Sequence, residues 1–161
     1  LIYATTSIKK EEYLRSAETM QGIEISENDG ILEIKLPCLL PKRRQRQSTE
    51  FLWDPITSAL SDYAAHHTMP QFQHCVVCFS HIYAQELPER RIRDYDNLEL
   101  KQFLDVAASF ILTDDNGLLC DAYNTTELGK EDCTRLFLMD STQFPAWLAE
   151  RQNGVKSISD F

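Results

Sequence analysis

The stretch Cys75-Val76-Val77-Cys78-Phe79-Ser80-His81-Ile82-Tyr83 decides the fold that we expect for this chain of 161 residues. β-Branched and aromatic side chains dominate it, as they do in sheet strands, so it predicts a central strand. Residues 48–67 precede it with apolar residues spaced three to four apart, the pattern of an amphipathic helix. In that helix Pro55 would fit only in the first turn.

A second helix is expected after this strand. Asp96 and Glu99 stand in the order of a capping box, with an acid at the N-cap and Glu at the third helical position. Such a helix would turn Leu100, Leu104 and either Ala107 or Ala108 towards the core. The central strand therefore lies between two helices in sequence.

Further elements are expected on both sides of this centre. Upstream, residues 7–20 predict a short polar helix, and residues 23–36 predict a hairpin whose turn is Asn28-Asp29-Gly30. Downstream, residues 118–126 and 133–139 predict two antiparallel strands, and a helix capped by Ser141 would cover about 141–152. The sequence thus predicts a single domain over 1–161 of the α+β (mixed α/β) class, with a small mixed sheet.

Composition restricts the function classes. The net charge of −9 argues against sequence-blind nucleic-acid binding, which needs many bases on phosphate. The basic residues are clustered, however, in the two loops 42–46 and 90–93, whereas residues 102–161 carry a net charge of −6. No stretch approaches the ~20 apolar residues of a membrane span, so we expect no membrane partner.

Five cysteines, an odd number, predict reduced thiols and a cytoplasmic protein. Because the chain opens on Leu1, we expect that its natural start is missing.

The spacing of Cys75 and Cys78 is one that zinc sites also use. On a strand, residues three apart face opposite sides, so the two thiols cannot bind one ion together. No second Cys-x-x-Cys follows, and no helix N-terminus is evident to activate a thiol. We interpret the segment as a core strand.

Two acidic pairs carry most of the chemical information. Asp94 and Asp96 are two residues apart, so in extended backbone their carboxylates share one face. Such carboxylates repel each other unless a cation or proton lies between them, and Mg²⁺ prefers oxygen ligands. Asp114-Asp115 is a second pair that folding could bring beside the first. Solvated turns, with Asp96 as an N-cap, explain the same residues.

The segment Leu87–Leu98 resembles a known family. Its arginines and its Asp94-x-Asp96-Asn97-Leu98 run are similar to the signature of RusA-type Holliday-junction resolvases, crossover junction endodeoxyribonucleases. In that family an Asp-Asp pair follows at a fixed interval, and Asp115 lies 19 residues after Asp96. The resemblance covers about 31–139, which leaves 1–30 and the C-terminal helix as additions.

The resemblance implies a homodimeric, Mg²⁺-dependent endonuclease that resolves branched DNA in recombination or repair, with Mn²⁺ as a second candidate metal. Asp94, Asp96 and Asp115 match the metal-binding, catalytic aspartates. Phosphate contacts would come from the two basic loops, through Arg90, Arg91, Arg93, Lys42, Arg43, Arg44 and Arg46.

Two departures leave alternatives open. The family's catalytic lysine would fall at Leu100, and the nearest lysine is Lys101, which a helix starting one residue later could bring into reach. The acidic composition is also unusual for a nuclease. A catalytically inactive relative that binds DNA, or a protein partner through its acidic face, is one alternative. An acidic protein that mimics DNA to inhibit an enzyme is the other.

Overall fold

The computed structural model describes residues 22–41, 46–86, 92, 94, 95, 98, 100–111 and 120–159, with 46–52 and 153–159 described by backbone alone. These residues form a five-stranded mixed sheet and three helices, which confirms the α+β class. The strands are β1 Glu24–Asn28, β2 Ile31–Leu36, β3 Cys75–Ala84, β4 Cys120–Gly129 and β5 Cys133–Asp140. The helices are α1 Arg46–His66, α2 Lys101–Ile111 and α3 Phe144–Ser159.

The hairpin of β1 and β2 confirms the prediction from the Asn28-Asp29-Gly30 turn. The strands pair antiparallel, and Asn28 lies opposite Ile31. Asp29 and Gly30 have φ of 52° and 80°, the left-handed conformation that a tight hairpin turn requires and that these residue types tolerate.

The sheet has the order β1-β2-β5-β3-β4, so β3 is an interior strand, as predicted. One face of the sheet carries the main core under α1 and α2, including Val77, Phe79 and Leu136. The other face carries a smaller cluster around Val76, Cys78 and Met139, packed against Phe144 and Trp147. β3 is therefore covered on both sides, which explains its nearly continuous apolar sequence.

The two predicted downstream strands exist, but they are not neighbours. β3 lies between them, pairing parallel with β4 and antiparallel with β5. Their short connection crosses the end of β3, where the Ala84 backbone N–H donates to Asp132 Oδ1 at 2.8 Å and that of Gln85 donates to the Gly129 carbonyl at 2.9 Å. Local alternation predicts a strand but not its partner, which non-local packing decides.

Four local expectations about the helices are wrong. Pro55 lies inside α1, buried beside Ile56, so tertiary packing outweighs the hydrogen bond that proline removes. α2 begins at Lys101, so Leu100 precedes it and the expected capping box lies too early. α3 begins at Phe144, and Asp140, not Ser141, accepts the hydrogen bond from the Thr142 backbone N–H. α3 also continues to Ser159, beyond the expected end at 152.

Some expectations lie outside the described residues, namely the helix over 7–20 and the turn over 114–117. In the described part of the chain, no helix is both long and apolar enough to cross a membrane.

Candidate metal and nucleic-acid site

The segment around Asp94 is attached to the sheet through its neighbour Tyr95. The Tyr95 hydroxyl lies 2.6 Å from the Thr126 hydroxyl on β4, and its ring lies 5.4 Å from the ring of His81 on β3. Leu98 is buried and anchors the segment a second time. Asp94 is exposed. Its carboxylate is therefore held at the surface above the C-terminal halves of two parallel strands.

Helix α2 connects these two parallel strands, as parallel pairing requires a crossover. Its apolar face is buried through Phe103, Ala107 and Ile111. Phe103 packs edge-on against Phe79 with ring centroids 5.7 Å apart, and the Ile111 carbonyl accepts from the Phe72 backbone N–H at 2.8 Å. α2 therefore runs opposite to β3. Its first residue, the exposed Lys101, lies towards the end of the sheet that Tyr95 covers.

The three predicted metal ligands are described only in part. Asp94 is described, whereas Asp96 and Asp115 lie outside the described residues. The nearest described residues around Asp115 are Ile111 and Cys120, and Cys120 pairs with Cys75 at the start of β3.

The end of the sheet at which β3 and β4 begin is distant from Tyr95. Thr126, which Tyr95 contacts, is six residues farther along β4 than Cys120, or about 20 Å at ~3.3 Å per residue. Asp115 is four residues after Ile111 and can lie up to about 13 Å from it. A metal shared by Asp94 and Asp115 therefore depends on the path of residues 112–115, which lie outside the described residues.

The predicted phosphate contacts are mostly outside the described residues. This applies to Arg90, Arg91, Arg93, Lys42, Arg43 and Arg44. Arg46 begins α1, where only the backbone is described. Ile92, between the arginines, is exposed.

Sequence reasoning missed the role of His81 beneath Tyr95. It is buried on the α2 side of β3, and its Nε2 donates to Asn124 Oδ1 at 3.0 Å. Burial lowers the pKa of His81, and the Asn124 hydrogen bond only partly opposes this. The sequence did contain a signal of this role. Side chains alternate between the two faces of a strand, so His81 shares the buried face of Val77 and Phe79, where a polar ring needs a hydrogen-bond partner.

Sequence reasoning also missed Arg151, on the opposite face of the sheet. Its guanidinium donates to Ser80 at 3.1 Å and to Thr125 at 2.7 Å, and it pairs with the carboxylate of Glu127. It also lies over the ring of Trp147 at 5.3 Å. Burial lowers the pKa of Arg151. This network fixes α3 on β3 and β4.

The carboxylates that would hold Mg²⁺ have suitable chemistry, since oxygen ligands are the ones it prefers. Within the described ranges, no three His, Cys, Asp or Glu side chains are grouped as a metal site. Two of the three predicted ligands, Asp96 and Asp115, lie outside those ranges. The absence of such a group among the described residues therefore does not test the predicted site.

Comparison with known families places the whole chain in one of them. The model of the Family of unknown function (DUF6100) matches residues 1–161. This chain belongs to the DUF6100 family. The DUF6100 match includes both residues 1–30 and α3. A search of curated proteins finds none that matches this DUF6100 chain.

Proposed function

We propose that this protein is a Mg²⁺-dependent endonuclease that cleaves branched DNA such as four-way junctions, and that it acts as a homodimer. The observation that carries the proposal is the attachment of the Asp94–Lys101 segment to the sheet. The Tyr95–Thr126 contact of 2.6 Å and the buried Leu98 hold this segment, while Asp94 and Lys101 are exposed to solvent. The order of acids and bases in Leu87–Leu98 supports the same class.

Asp94, Asp96 and Asp115 would hold the metal through their carboxylate oxygens. When bound, Mg²⁺ activates water and offsets negative charge on the leaving oxygen. Tyr95 orients the backbone next to Asp94, since its hydroxyl and its ring are both held by sheet residues. Lys101, exposed at the start of α2, would place its ammonium against a substrate phosphate.

The two basic loops would bind the DNA backbone. Their arginines supply planar donors that match phosphate oxygens, and the adjoining acids limit the contact to a narrow strip of positive charge. A protein with net charge −9 would therefore bind DNA weakly outside that strip. We expect selectivity for junctions to come from two such strips in a dimer.

The test is cleavage of a labelled four-way junction by the full chain with Mg²⁺, beside a linear duplex of the same sequence. Asp96→Asn and Asp115→Asn are expected to reduce cleavage by at least about 100-fold, because each removes a metal-binding charge. The matched control is Asp105→Asn, which removes one exposed carboxylate from α2 outside the motif. Equal cleavage by Asp96→Asn and Asp105→Asn, or no cleavage with Mg²⁺ or Mn²⁺, would refute the nuclease.

Metal titration gives a second readout that does not need activity. If Asp94 and Asp115 share one ion, Asp94→Asn and Asp115→Asn each abolish the same Mn²⁺ site in calorimetry, and the double variant loses nothing more. Two separately lost sites would contradict the shared centre. Junction binding that needs no divalent metal and leads to no cleavage would instead favour the inactive DNA-binding alternative.

The role of Lys101 is tested with Lys101→Ala. We expect about a 100- to 1,000-fold lower cleavage rate, as for loss of one positioned electrostatic donor. Lys130→Ala is the control, because Lys130 is exposed in the connection between β4 and β5. An unchanged rate in Lys101→Ala would remove Lys101 from the site without affecting the aspartates.

A further inference from the structure

Two cysteines meet across the parallel pair of β3 and β4. Cys75 and Cys120 are the first residues of these strands and are direct register partners. Neighbouring strands lie about 4.8 Å apart, within the range of Cα separations that a disulfide spans. Both side chains belong to the core face under α2, and their thiols are hydrogen bonded to each other. The two thiols are thus within hydrogen-bonding reach of each other.

The two thiols differ in access and in acidity. Cys75 is fully buried, whereas Cys120 is only partly buried and begins the edge strand β4. The Cys75 thiol donates to the Cys120 sulfur, which lowers the pKa of Cys120 and raises that of Cys75. Burial and the Asp121 carboxylate oppose the lowering of the Cys120 pKa, and His74, which pairs with Asp121 at 2.8 Å, adds a smaller lowering.

The remaining cysteines lack this combination. All five cysteines lie in the described part of the chain, and Cys120 is the one whose pKa is lowered. Burial raises the pKa of Cys38, of Cys133 and, to about 12, of Cys78. Cys78 also lies on the opposite face of β3, in the cluster with Val76 and Met139. A partly exposed thiol with a lowered pKa, placed beside a buried second thiol, is the arrangement of a reversible oxidation site.

We propose that Cys75 and Cys120 form a peroxide-sensitive dithiol that is reversibly oxidised to a disulfide. The Cys120 thiolate attacks one oxygen of hydrogen peroxide, the O–O bond breaks, and the released hydroxide takes a proton to become water. Cys120 is then a sulfenic acid. The Cys75 sulfur next forms the S–S bond as the S–O bond of Cys120 breaks, and the Cys75 proton leaves with the hydroxide as a second water.

The electrons balance over these two reaction steps. Two thiols lose two electrons in all, and one peroxide is reduced to two waters. A thiol reductant reverses the change by two exchange steps, which restore both cysteines and leave the reductant as its own disulfide. The dithiol would act in the same way whether or not the protein cleaves DNA.

The test uses the full reduced chain, treated with a small excess of hydrogen peroxide, quenched with acid and then alkylated in denaturant, so that the buried Cys75 and Cys78 are also counted. We expect loss of two of the five thiols, a mass lower by two hydrogens, and a cross-linked peptide pair that contains Cys75 and Cys120. Dithiothreitol should restore all five thiols. A cross-link through Cys38 or Cys133, or five intact thiols under conditions that oxidise an exposed model dithiol, would overturn the proposal.

Cysteine variants show which sulfur atom reacts with peroxide and which one forms the disulfide with it. Cys78→Ser is the control, since Cys78 shares a strand with Cys75 but faces the other side, and it should still lose two thiols. Cys75→Ser or Cys75→Ala should stop the reaction at a sulfenic acid on Cys120 that dimedone traps. Cys120→Ser should leave Cys75 unreacted. A two-thiol loss that persists in Cys120→Ser would contradict the pairing, and circular dichroism confirms that each variant is folded.

Discussion

The hydroxyl of Tyr95 lies 2.6 Å from the hydroxyl of Thr126, and this contact joins the acidic segment to strand β4. The two residues are 31 positions apart in the sequence, with the whole of α2 between them. Tyr95 also lies over His81, so its ring and its hydroxyl are held by two different strands. The orientation of Asp94 therefore depends on the sheet rather than on its own segment.

Removing this hydroxyl should weaken the attachment without unfolding the protein. In Tyr95→Phe the ring still covers His81, and the exposed Thr126 hydroxyl can bind water, so we expect a loss of about 0.5–1 kcal/mol in unfolding free energy. Urea denaturation of Tyr95→Phe, Thr126→Val and the double variant measures it. Strictly additive losses would show that the two hydroxyls are not coupled. If the proposed nuclease is correct, cleavage should fall several-fold in Tyr95→Phe.

Two arginines on the same face of the sheet allow a matched comparison of ion pairs. Arg151 pairs with Glu127 and lies over Trp147, while Arg135 pairs with Glu33 at 2.6 Å and lies 5.1 Å over Phe137. Their side chains differ in exposure, 17% for Arg151 and 41% for Arg135.

Removing each guanidinium should therefore have different effects. Arg151→Met leaves Ser80 and Glu127 with lost partners in a half-buried site, which should cost about 1–3 kcal/mol. Arg135→Met breaks a more exposed pair and should cost about 0–1 kcal/mol. Chemical denaturation of the two variants side by side is the measurement. Equal losses would mean that burial does not govern these pairs.

His81 should make stability depend on pH in the acid range. Its folded pKa is lowered by burial, so below its unfolded pKa of about 6.5 the unfolded chain binds the proton first. The contribution of His81 is therefore fully present above that pH and declines as the pH falls towards the folded pKa. His81→Gln should flatten this part of the stability profile, measured by urea denaturation between about pH 5 and pH 7. A profile as steep in His81→Gln as in the parent chain would contradict this role of His81.

Gly129 ends β4 where there is no room for a side chain. A Cβ there would lie 2.6 Å from Cγ2 of Ile82 on the neighbouring strand. Gly129→Ala should therefore cost about 1–3 kcal/mol despite the usual benefit of alanine over glycine in a strand. In an Ile82→Ala background the same change should cost little, because the clashing methyl is absent. Thermal unfolding of the four chains measures the coupling, and an equal cost in both backgrounds would contradict a steric cause.

Much of the local structure follows from short sequence patterns. The Asn28-Asp29-Gly30 turn determines a hairpin because these residues tolerate positive φ, and it is observed with φ of 52° and 80° at its two central residues. The alternation of Leu32, Ile34 and Leu36 likewise determines which face of β2 is buried. Helix ends were less predictable, because α2 and α3 begin where packing places them rather than at the expected caps.

The candidate site divides in the same way. The acids and bases of Leu87–Leu98, and the resemblance they carry, are properties of the sequence alone. Three contacts could not be derived from the sequence alone: Tyr95 with Thr126, Tyr95 with His81, and Arg151 with Glu127. Each of them joins residues that are 14 or more positions apart in the chain.

By itself, then, the sequence determined the α+β class, the hairpin, the buried strand Cys75–Ala84 and the residues from which a metal site could be built. Only the tertiary structure decided that β3 lies between β4 and β5, and thereby that Cys75 meets Cys120. The physical reason is that backbone preferences act over a few residues. Strand partners are chosen instead by how the whole apolar surface is buried under the helices, and that depends on every element at once.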